Sequence, residues 1–522
     1  MKPQRIILFC FVFVTFLSFS QIPQLDVKHY RIEIFVSDET DEIKVDELIK
    51  FAHVDKNKPI ILNLASYDRS HKGMQIEYLQ LNGQKATFNH QNDSIYVTSD
   101  GSQSKEQSLK LSFKGIPKDG LIIGKNKYGS RTFFGDNWPN RAQNWFACND
   151  HLSDKATVEF IVHAPKHYEV VANGQRMSIK KSKTNKTYHY SSSISLPTKV
   201  MVIGVADMHI EESGIIDGKK VNSCVYPKHK KEALHDLALA PSILEFYINY
   251  IAPYEYEKLD NVQSTTRFGG MENAACIFYD EDALDGTRAS EALIAHEIVH
   301  QWFGNSATEK DWCHLWLSEG FATYLTNVYF EQTKGVSAFR DRLKKERKTI
   351  IAFEKRYKSP VVDTAYNSLM DLLNPNSYQK GGWVLHMLRN ELGDEDFHQT
   401  IRTYYQKYRL SNADTKDFQK VAEEVSGKDL QWFFDQWLFH RGHPKLNIES
   451  EVHENSLAMS ISQRDLLFDI KLPIRVYFDN GTSLNELIEI NDHQTRFKKM
   501  YNEQIERIEI DPDVQLLYEE VK

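Results

Sequence analysis

Residues 289–324 read ASEALIAHEIVHQWFGNSATEKDWCHLWLSEGFATY, and HEIVH at 296–300 lies at the centre of this stretch. The apolar residues around HEIVH favour a helix, which Thr287 or Ser290 could cap and Gly304 could end. On a helix, the two histidines lie one turn apart on one face. That separation suits two imidazole ligands of one divalent cation, and zinc is the usual occupant of such a pair.

A third ligand can come from the second half of the same stretch. Eighteen residues separate His300 from Glu319, which lies in the apolar segment LWLSEGFA at 315–322. Three protein ligands and one open tetrahedral position are typical of catalytic zinc sites, whereas four protein ligands are typical of structural ones. We therefore predict one Zn²⁺ per chain, bound by His296, His300 and Glu319. The alternative is a pair of histidines packed in a core.

Two further motifs flank this stretch, GGMEN at 269–273 and YQKG at 378–381. Together with HEIVH and WLSEGFA they stand in the order and approximate spacing of the gluzincin zinc aminopeptidases of the aminopeptidase N family, which the chain resembles. Weaker similarity extends from about residue 130 to residue 444. The resemblance implies a thermolysin-like catalytic domain and an aminopeptidase activity.

The upstream motif resembles the family's exopeptidase motif, which implies that Gly269, Gly270, Met271, Glu272 and Asn273 bind substrate. Two consecutive glycines on an exposed strand edge or loop leave backbone groups open to a peptide that adds as a further strand. Glu272 would then meet the substrate's ammonium group, which favours a free amino terminus over an internal segment. A lone glutamate in a glycine-rich loop would otherwise be structural.

The remaining catalytic roles follow from position and from the resemblance. Glu297 is adjacent to a ligand without being one, so it can accept a proton from the attacking water and pass it to the leaving amine. A bound zinc ion lowers the pKa of water towards ~7 and polarises the scissile carbonyl. By resemblance, Tyr378 donates a hydrogen bond to the oxygen of the tetrahedral intermediate. We predict hydrolysis of amino-terminal residues from peptides.

Two other functions compete with this interpretation. One branch of relatives has epoxide hydrolase activity, although no feature of this sequence marks a channel for a lipid epoxide. A non-catalytic peptide-binding protein could use the same scaffold, and loss of Glu297 or Tyr378 would favour it. Both residues are present.

Composition limits the partners. Hydrophobic residues make up 41% and charged residues 26%, as in ordinary soluble globular proteins. A net charge of −8 without a basic stripe argues against nucleic acid. We expect a monomer that binds peptides with a free amino terminus. The cysteines that follow Cys10 are widely spaced, which excludes a disulfide scaffold but leaves one or two disulfides open; they are Cys148, Cys224, Cys276 and Cys313.

Residues 1–20 have the features of a signal peptide. Lys2 and Arg5 form a basic start, residues 6–19 carry no charge, and small residues at 18 and 20 suit a cleavage site. The apolar run is shorter than the ~20 residues that cross a bilayer. We expect export to the periplasm or the exterior, without stable membrane insertion after cleavage. An uncleaved N-terminal anchor is the alternative.

The pattern along the chain predicts a multidomain α+β protein. Period-two alternation at 30–36 indicates strands, helical periodicity dominates from 208, and a hairpin signal at Asn480-Gly481 indicates strands again. The predicted domains are an N-terminal antiparallel β saddle or sandwich at 21–207, a mostly α-helical thermolysin-like zinc catalytic domain at 208–444, and a small C-terminal β-sandwich at 445–522. The large helical C-terminal domain of many relatives has no counterpart, which predicts a more open site.

One position departs from the family pattern. Many relatives have Glu or Gln four residues before the Ala that begins AQNWFACND at 142–150, where it helps to hold the substrate's amino terminus; this chain has Trp138 there. Either Asp136 or Asn137 takes over, or the first side-chain pocket is built differently. Trp138 is an aromatic wall of that pocket or packs at the domain junction.

Overall fold

The computed structural model describes residues 25–53, 58–99, 101–102 and 104–521. They form a β-rich region, a largely helical region and a second β region in that order, which confirms the predicted α+β fold class. The predicted signal peptide at 1–20 lies outside the described residues. Among the helices described, none is long and apolar enough to cross a membrane.

The N-terminal region is built from strands whose side chains alternate between buried and exposed positions, as period-two sequences predict. The strands are β1 Leu25–Phe35, β2 Ile43–His53, β3 Ile60–Asn63, β4 Gly73–Leu81, β5 Gln84–Lys85, β6 Phe88–Gln91, β7 Ser94–Val97, β8 Gln107–Ile116, β9 Leu121–Lys125, β10 Arg131–Gly135, β11 Lys155–Pro165, β12 Glu169–Ala172, β13 Gln175–Lys181, β14 Asn185–Ser191, β15 Leu196–Pro197 and β16 Ile203–Ala206. The largest sheet has the order β13-β14-β11-β1-β2-β8-β4-β5, with β15 beside β11. Two smaller sheets, β12-β16-β10-β9 and β3-β7-β6, complete the region.

The central region begins with a sheet of its own, in the order β17-β18-β19-β21-β20. Its strands are β17 His209–Ile216, β18 Lys219–Val225, β19 Lys258–Ser264, β20 Gly270–Met271 and β21 Cys276–Asp280. Strand β20 is therefore an edge strand. A short pair, β22 Ala307–Glu309 and β23 Ser411–Ala413, lies further along the chain.

Helices make up most of the central region. They are α1 Lys230–Leu237, α2 Ala240–Tyr250, α3 Glu291–Val299, α4 Trp316–Lys334, α5 Val336–Glu354, α6 Gly381–Leu392, α7 Asp394–Tyr408, α8 Thr415–Ser426 and α9 Gln431–Phe434. Two π-helical turns, Asn376–Lys380 and Asp435–Phe439, precede α6 and follow α9.

The helix that carries HEIVH is shorter than its sequence predicts. It ends at Val299, with His300 as its C-cap residue, whereas Gly304 lies four residues further on in a positive-φ turn (φ +114°). Ser290 occupies the N-cap position, but its buried hydroxyl has no hydrogen-bond partner among the described residues. Of the two predicted caps, Ser290 and not Thr287 is therefore the N-cap residue, but it makes no side-chain capping hydrogen bond.

The C-terminal region pairs two small sheets, β28-β25-β24-β30 and β27-β26-β29. Its strands are β24 Lys445–His453, β25 Ser456–Arg464, β26 Ile470–Phe478, β27 Ser483–Ile490, β28 Gln494–Met500, β29 Ile505–Ile510 and β30 Glu519–Glu520. The hairpin signal Asn480-Gly481 joins β26 to β27, as predicted. Sheet membership changes after residue 206 and at 445, while the domain bounds at 207/208 and 444/445 stay predictions.

The four described cysteines are all free thiols. Cys148, Cys224 and Cys276 are buried in the interior, and burial raises the pKa of each thiol. The disulfides left open by the sequence are therefore not formed in the described part of the chain.

Candidate metal centre and substrate cleft

Three side chains predicted as ligands meet between α3 and α4. His296 Nε2 lies 3.3 Å and His300 Nε2 lies 3.2 Å from Glu319 Oε2, and the two nitrogens are 3.1 Å apart. A tetrahedral ion with ligand distances of about 2.0–2.1 Å holds its ligand atoms about 3.3 Å apart. The three atoms therefore fit one face of such a coordination shell, and these residues could hold a divalent metal ion.

A hydrogen bond fixes the orientation of one histidine ring. His300 Nδ1 donates to the carbonyl oxygen of Phe303 at 3.0 Å, and Ser318 Oγ lies 3.2 Å from the same nitrogen. With Nδ1 held in this way, Nε2 is the nitrogen that lies next to the other two ligand atoms. Such a partner on the far nitrogen is the usual support of a metal-binding histidine.

The charges of His296 and Glu319 match those of metal ligands, whereas His300 forms a charged pair with Glu319. Burial lowers the pKa of His296, so this imidazole is neutral at pH 7. Burial opposes charge on Glu319 as well, but the adjacent His300 holds the pKa of this carboxyl well below its usual range. The same pairing outweighs burial at His300 and raises its pKa to about 10. A divalent cation would supply the positive charge that this pair otherwise takes from a proton.

Glu297 lies in the same cleft without belonging to the ligand set. Burial raises its pKa well above that of an ordinary glutamate, and the nearby Glu272 adds to the shift. A carboxyl group with a raised pKa holds a proton more tightly than an ordinary carboxylate, which suits a group that carries a proton between two partners. Strand β20 approaches this residue closely, because a Cβ atom on Gly270 would lie 2.4 Å from Glu297 Oε1. A larger residue at position 270 would therefore displace the Glu297 side chain.

The GGMEN motif forms β20 and the residues around it. The predicted exposed edge is correct only for the glycines: Gly269 is exposed and Gly270 is partly exposed, whereas Met271, Glu272 and Asn273 are buried. Strand β20 pairs with β21 on one side alone, so its other side faces the cleft. A peptide could therefore add along it.

Residues that follow α3 hold the Glu272 backbone in place. Gln301 Nε2 and Asn305 Nδ2 both donate to the Glu272 carbonyl oxygen, at 2.9 and 2.6 Å. Gln301 Oε1 accepts from the Ala275 amide at 2.9 Å. The Glu272 side chain lines the cleft, and its buried Oε1 has no hydrogen-bond partner among the described residues. A buried acceptor of this kind is available to a ligand.

Tyr378 lies on the π-helical turn before α6 and lines the same cleft. Its ring is nearly parallel to the His296 ring, with an angle of 13° between the ring planes and 6.2 Å between the centroids. Burial, reinforced by the Glu319 carboxylate, raises the pKa of its hydroxyl well above the ordinary value. The hydroxyl therefore keeps its proton at neutral pH and can donate a hydrogen bond into the cleft.

Trp138 lines the cleft and also packs between regions of the chain. Its ring meets Phe268 edge-to-face at 6.1 Å and Trp312 at 5.7 Å, and it is 2% exposed. The two interpretations of this residue are therefore compatible.

Neither candidate for the second amino-terminus ligand reaches the cleft. Asp136 is fully buried and pairs with Arg141 at 2.6 Å. Asn137 donates to the carbonyl oxygens of Thr198 and Met201 and accepts from the Trp145 indole. Asp136 Oδ2 also lies 3.8 Å from Arg267 Nε. Since neither side chain lines the cleft, the alternative in which one of them takes over is wrong. The cleft wall at this point is Trp138.

The cleft has a volume of about 440 Å³ and includes residues that sequence reasoning missed. Thr323 and Thr326 follow Glu319 at i+4 and i+7 on α4, so helical periodicity could have found them. Arg342 and Glu346 lie on α5. No sequence signal separates them from the other charged residues of that helix, because tertiary packing decides which face of α5 borders the cleft.

Two family models match the chain. The Peptidase M1 N-terminal domain matches residues 26–200, and the Peptidase family M1 domain matches residues 235–437. Together they cover well over half of the sequence. The chain therefore belongs to the M1 family of metallopeptidases, the aminopeptidase N family.

Individual relatives agree with this assignment. Aminopeptidase M1-C of Oryza sativa subsp. japonica is 31% identical over 335 residues, which is 60% of this chain and 38% of that protein. Glutamyl aminopeptidase of Sus scrofa is 28% identical over 355 residues, 64% of this chain and 36% of that protein. Probable aminopeptidase 1 of Sulfurisphaera tokodaii is 23% identical over 472 residues, 82% of this chain and 58% of that protein. The matched part spans less than two thirds of each of these curated relatives.

Proposed function

We propose that this protein is a zinc-dependent aminopeptidase that removes residues from the amino termini of peptides. The observation that carries the proposal is the triangle of ligand atoms from His296, His300 and Glu319, with Glu297 and Tyr378 on the same cleft. Membership of the M1 family and the names of the relatives support it. A complete ligand set, a proton acceptor and a proton-bearing donor together make hydrolysis chemically feasible.

Each residue has a distinct task in this proposal. A zinc ion bound by the three ligands would polarise the scissile carbonyl and acidify a water molecule. Glu297 accepts the proton of that water and delivers it to the leaving amine. Tyr378 donates its hydroxyl proton in a hydrogen bond to the carbonyl oxygen as negative charge develops there.

Restriction to amino termini is assigned to Glu272. A substrate ammonium group would give its buried Oε1 a charged donor, whereas the amide of an internal segment would leave the carboxylate unneutralised. The backbone beside it, from Gly269 to Asn273, would pair with the substrate as an added strand. These contacts favour substrates with a free amino group.

The test is hydrolysis of a panel of aminoacyl p-nitroanilides, each with a free and with an acetylated amino group. We expect turnover of the free-amine substrates alone, loss on chelation, and recovery with Zn²⁺. The Glu297→Gln variant should lose about 10²–10⁴-fold in kcat while it keeps its metal, measured by elemental analysis. Equal cleavage of acetylated substrates would exclude the role given to Glu272, and a metal-loaded protein without turnover would favour a peptide-binding function.

We also propose export and a monomeric state. The basic start and apolar run of residues 1–20 support secretion or a periplasmic location, and the net charge of −8 disfavours nucleic acid as a partner. Amino-terminal sequencing of the protein from a producing cell would show whether cleavage follows residue 20. Light scattering after size-exclusion chromatography would give the molecular mass in solution.

A further inference from the structure

A cationic side chain lies at one end of the cleft and has no place in the roles above. Arg342, on α5, lines the cleft, and its Nε donates to Asn327 Oδ1 at 2.6 Å. Its guanidinium lies over the Phe330 ring, 4.7 Å from the centroid. Within the described residues, no carboxylate oxygen lies within salt-bridge distance of its nitrogens. The side chain is thus held at Nε and at one face of the guanidinium, and its two terminal amino groups have no hydrogen-bond partner among the described residues.

An acidic residue on the same helix is engaged elsewhere. Glu346 lies one turn further along α5, and both of its carboxylate oxygens accept from Asn327 Nδ2 at 3.0 Å. Burial raises the pKa of this carboxyl to about 7, although Asn327 and Arg342 act to lower it. Asn327 therefore stands between the two charged groups and keeps them from pairing directly.

The direction of a bound substrate follows from the way β20 lies along α3. A Cβ atom on Gly269 would lie 3.8 Å from the Leu293 side chain, while the Glu272 carbonyl is held by Gln301 and Asn305 beyond the end of the helix. An amino terminus at Glu272 thus places the scissile bond beside Glu297. The residues that leave with the amine extend towards Leu293 and the start of α3.

Arg342 lies at that same end. Glu319, Thr323 and Thr326 line the cleft along α4, and helical rise places Thr326 about 10 Å from the metal ligand. Further along α4, the Tyr329 hydroxyl donates to Glu291 at the start of α3. Asn327 lies on the same part of α4 as Tyr329, next to the start of α3. Its hydrogen bond with Arg342 therefore holds the guanidinium near the start of α3.

We propose that Arg342 determines specificity by binding a substrate carboxylate on the leaving side of the scissile bond. The helical rise from Glu319 to Thr326 is about 10 Å, and an extended peptide advances about 3.3 Å per residue. The carboxylate site therefore lies two or three residues beyond the scissile bond. The carboxylate is either the C-terminus of a short peptide or an acidic side chain at that distance. A planar guanidinium with two free amino groups suits either of them, because it can donate two parallel hydrogen bonds. The proposal rests on the aminopeptidase function and refines its substrate class.

The experiment measures ratios of kcat/KM between matched peptides. Leu-Ala-Ala is compared with its C-terminal amide, and the amide of Leu-Ala-Glu with that of Leu-Ala-Gln. A charged hydrogen bond of this kind raises kcat/KM by about 10–100-fold. We therefore expect at least one of the two ratios to be of that size in the wild-type enzyme. The first ratio reports a C-terminal carboxylate and the second an acidic side chain.

Variants of Arg342 show whether this side chain causes the kcat/KM ratio. Arg342→Gln should bring the ratio near one. Arg342→Lys should give an intermediate ratio, because lysine keeps the positive charge but cannot donate two parallel hydrogen bonds. Lys344→Gln, an exposed change on the same helix, should keep the wild-type ratio. Wild-type ratios near one, or an Arg342→Gln enzyme with the wild-type ratio, would overturn the proposal.

Two further measurements distinguish failure of the Arg342 proposal from failure of the aminopeptidase function. Aminoacyl anilides carry no carboxylate, so their turnover by the wild-type enzyme tests the aminopeptidase function separately. Calorimetric binding of Leu-Ala-Ala and its amide to the Glu297→Gln variant, with and without Arg342→Gln, tests the carboxylate contact without turnover. Circular dichroism and thermal unfolding of each variant show whether it is folded.

Discussion

Three buried glutamates share one cleft and differ in what lies beside them. Glu319 is within 3.3 Å of two imidazoles, and His300 outweighs burial so that its carboxylate remains ionised. Glu297 and Glu272 lack such close cations, and burial raises the pKa of both. In the proposed function, one residue type thus serves as metal ligand, proton carrier and ammonium acceptor, and the surroundings of each glutamate decide which.

The Tyr378 hydroxyl should matter to the chemical step alone. In Tyr378→Phe the ring remains stacked near His296 while the donor is lost, so we expect kcat to fall about 10²–10³-fold with KM nearly unchanged. Steady-state kinetics on an aminoacyl anilide and elemental analysis of zinc check this. A variant with wild-type kcat, or one that has lost its metal, would contradict the role.

Asp154 should give the N-terminal region a pH-dependent stability. It is 7% exposed, accepts from the Val27 amide and the Asn149 side chain, and burial raises its pKa to about 7. Because its pKa in the folded state exceeds the unfolded value, its contribution is present below about pH 4 and is lost as the pH rises through 7.

The measurement is thermal unfolding of the wild-type protein and Asp154→Asn at several pH values. The variant cannot ionise, so its unfolding temperature relative to wild type should be higher at pH 8 than at pH 5. A difference that does not change with pH would contradict the expectation.

At the scale of elements, the site depends on a close crossing of α4 and α6. A Cβ atom on Gly320 would lie 2.8 Å from the Gly381 carbonyl carbon, and one on Gly381 would lie 3.1 Å from the Gly320 Cα. Backbone therefore meets backbone at this crossing. Glu319 precedes the first glycine, and the turn that carries Tyr378 precedes the second. The crossing thus sets the distance between Glu319 and Tyr378.

Gly320→Ala should force these helices apart. We expect a loss of about 1–3 kcal/mol in the free energy of unfolding and a lower kcat, because overpacking shifts backbone that cannot move freely. Chemical denaturation and anilide kinetics measure the two effects. Gly124→Ala is the matched control, since no atom lies within 4 Å of the added methyl group. An unaffected Gly320→Ala enzyme would show that the crossing tolerates a methyl group.

At the scale of the whole molecule, a buried chain of charges joins the active-site turn to the C-terminal sheets. Lys380, two residues after Tyr378, donates to Glu354 and to the Gly442 carbonyl, both at 2.7 Å. The other Glu354 oxygen accepts from His443 Nδ1, and His443 Nε2 lies 3.4 Å from Glu519 next to β24. Burial opposes the Glu354 charge, but His443 and Lys380 lower the pKa of this carboxyl below its usual value.

Glu354→Gln should weaken both the fold and the site. It leaves the Lys380 ammonium buried without its counter-ion, a change that typically costs about 3–5 kcal/mol. We expect a lower unfolding temperature together with a reduced kcat, because Tyr378 shares its turn with Lys380. Scanning calorimetry and anilide kinetics on the same preparation check both. Glu424→Gln, at an exposed surface pair, should change neither.

The amino-acid sequence by itself determined the local features. Periodicity places His296 and His300 on one face of a helix, alternation identifies β1, and Asn480-Gly481 identifies a hairpin, because each of these depends on a few neighbouring residues. The fold class followed from the order of such segments. The length of α3 was overestimated, since its end depends on the turn at Gly304 that packs against Ser318.

The tertiary structure alone decided which distant side chains share the cleft. The sequence left open whether Asp136 or Asn137 faces the cleft, and neither does, while Arg342 faces it without a signal in its own segment. His443 shows no metal-like spacing, yet it lies in the charge chain that supports the Tyr378 turn. Residue spacing along the chain constrains only side chains on the same helix or strand. The orientation of one element against another depends on packing between residues far apart in sequence, and that packing is settled only in the folded molecule.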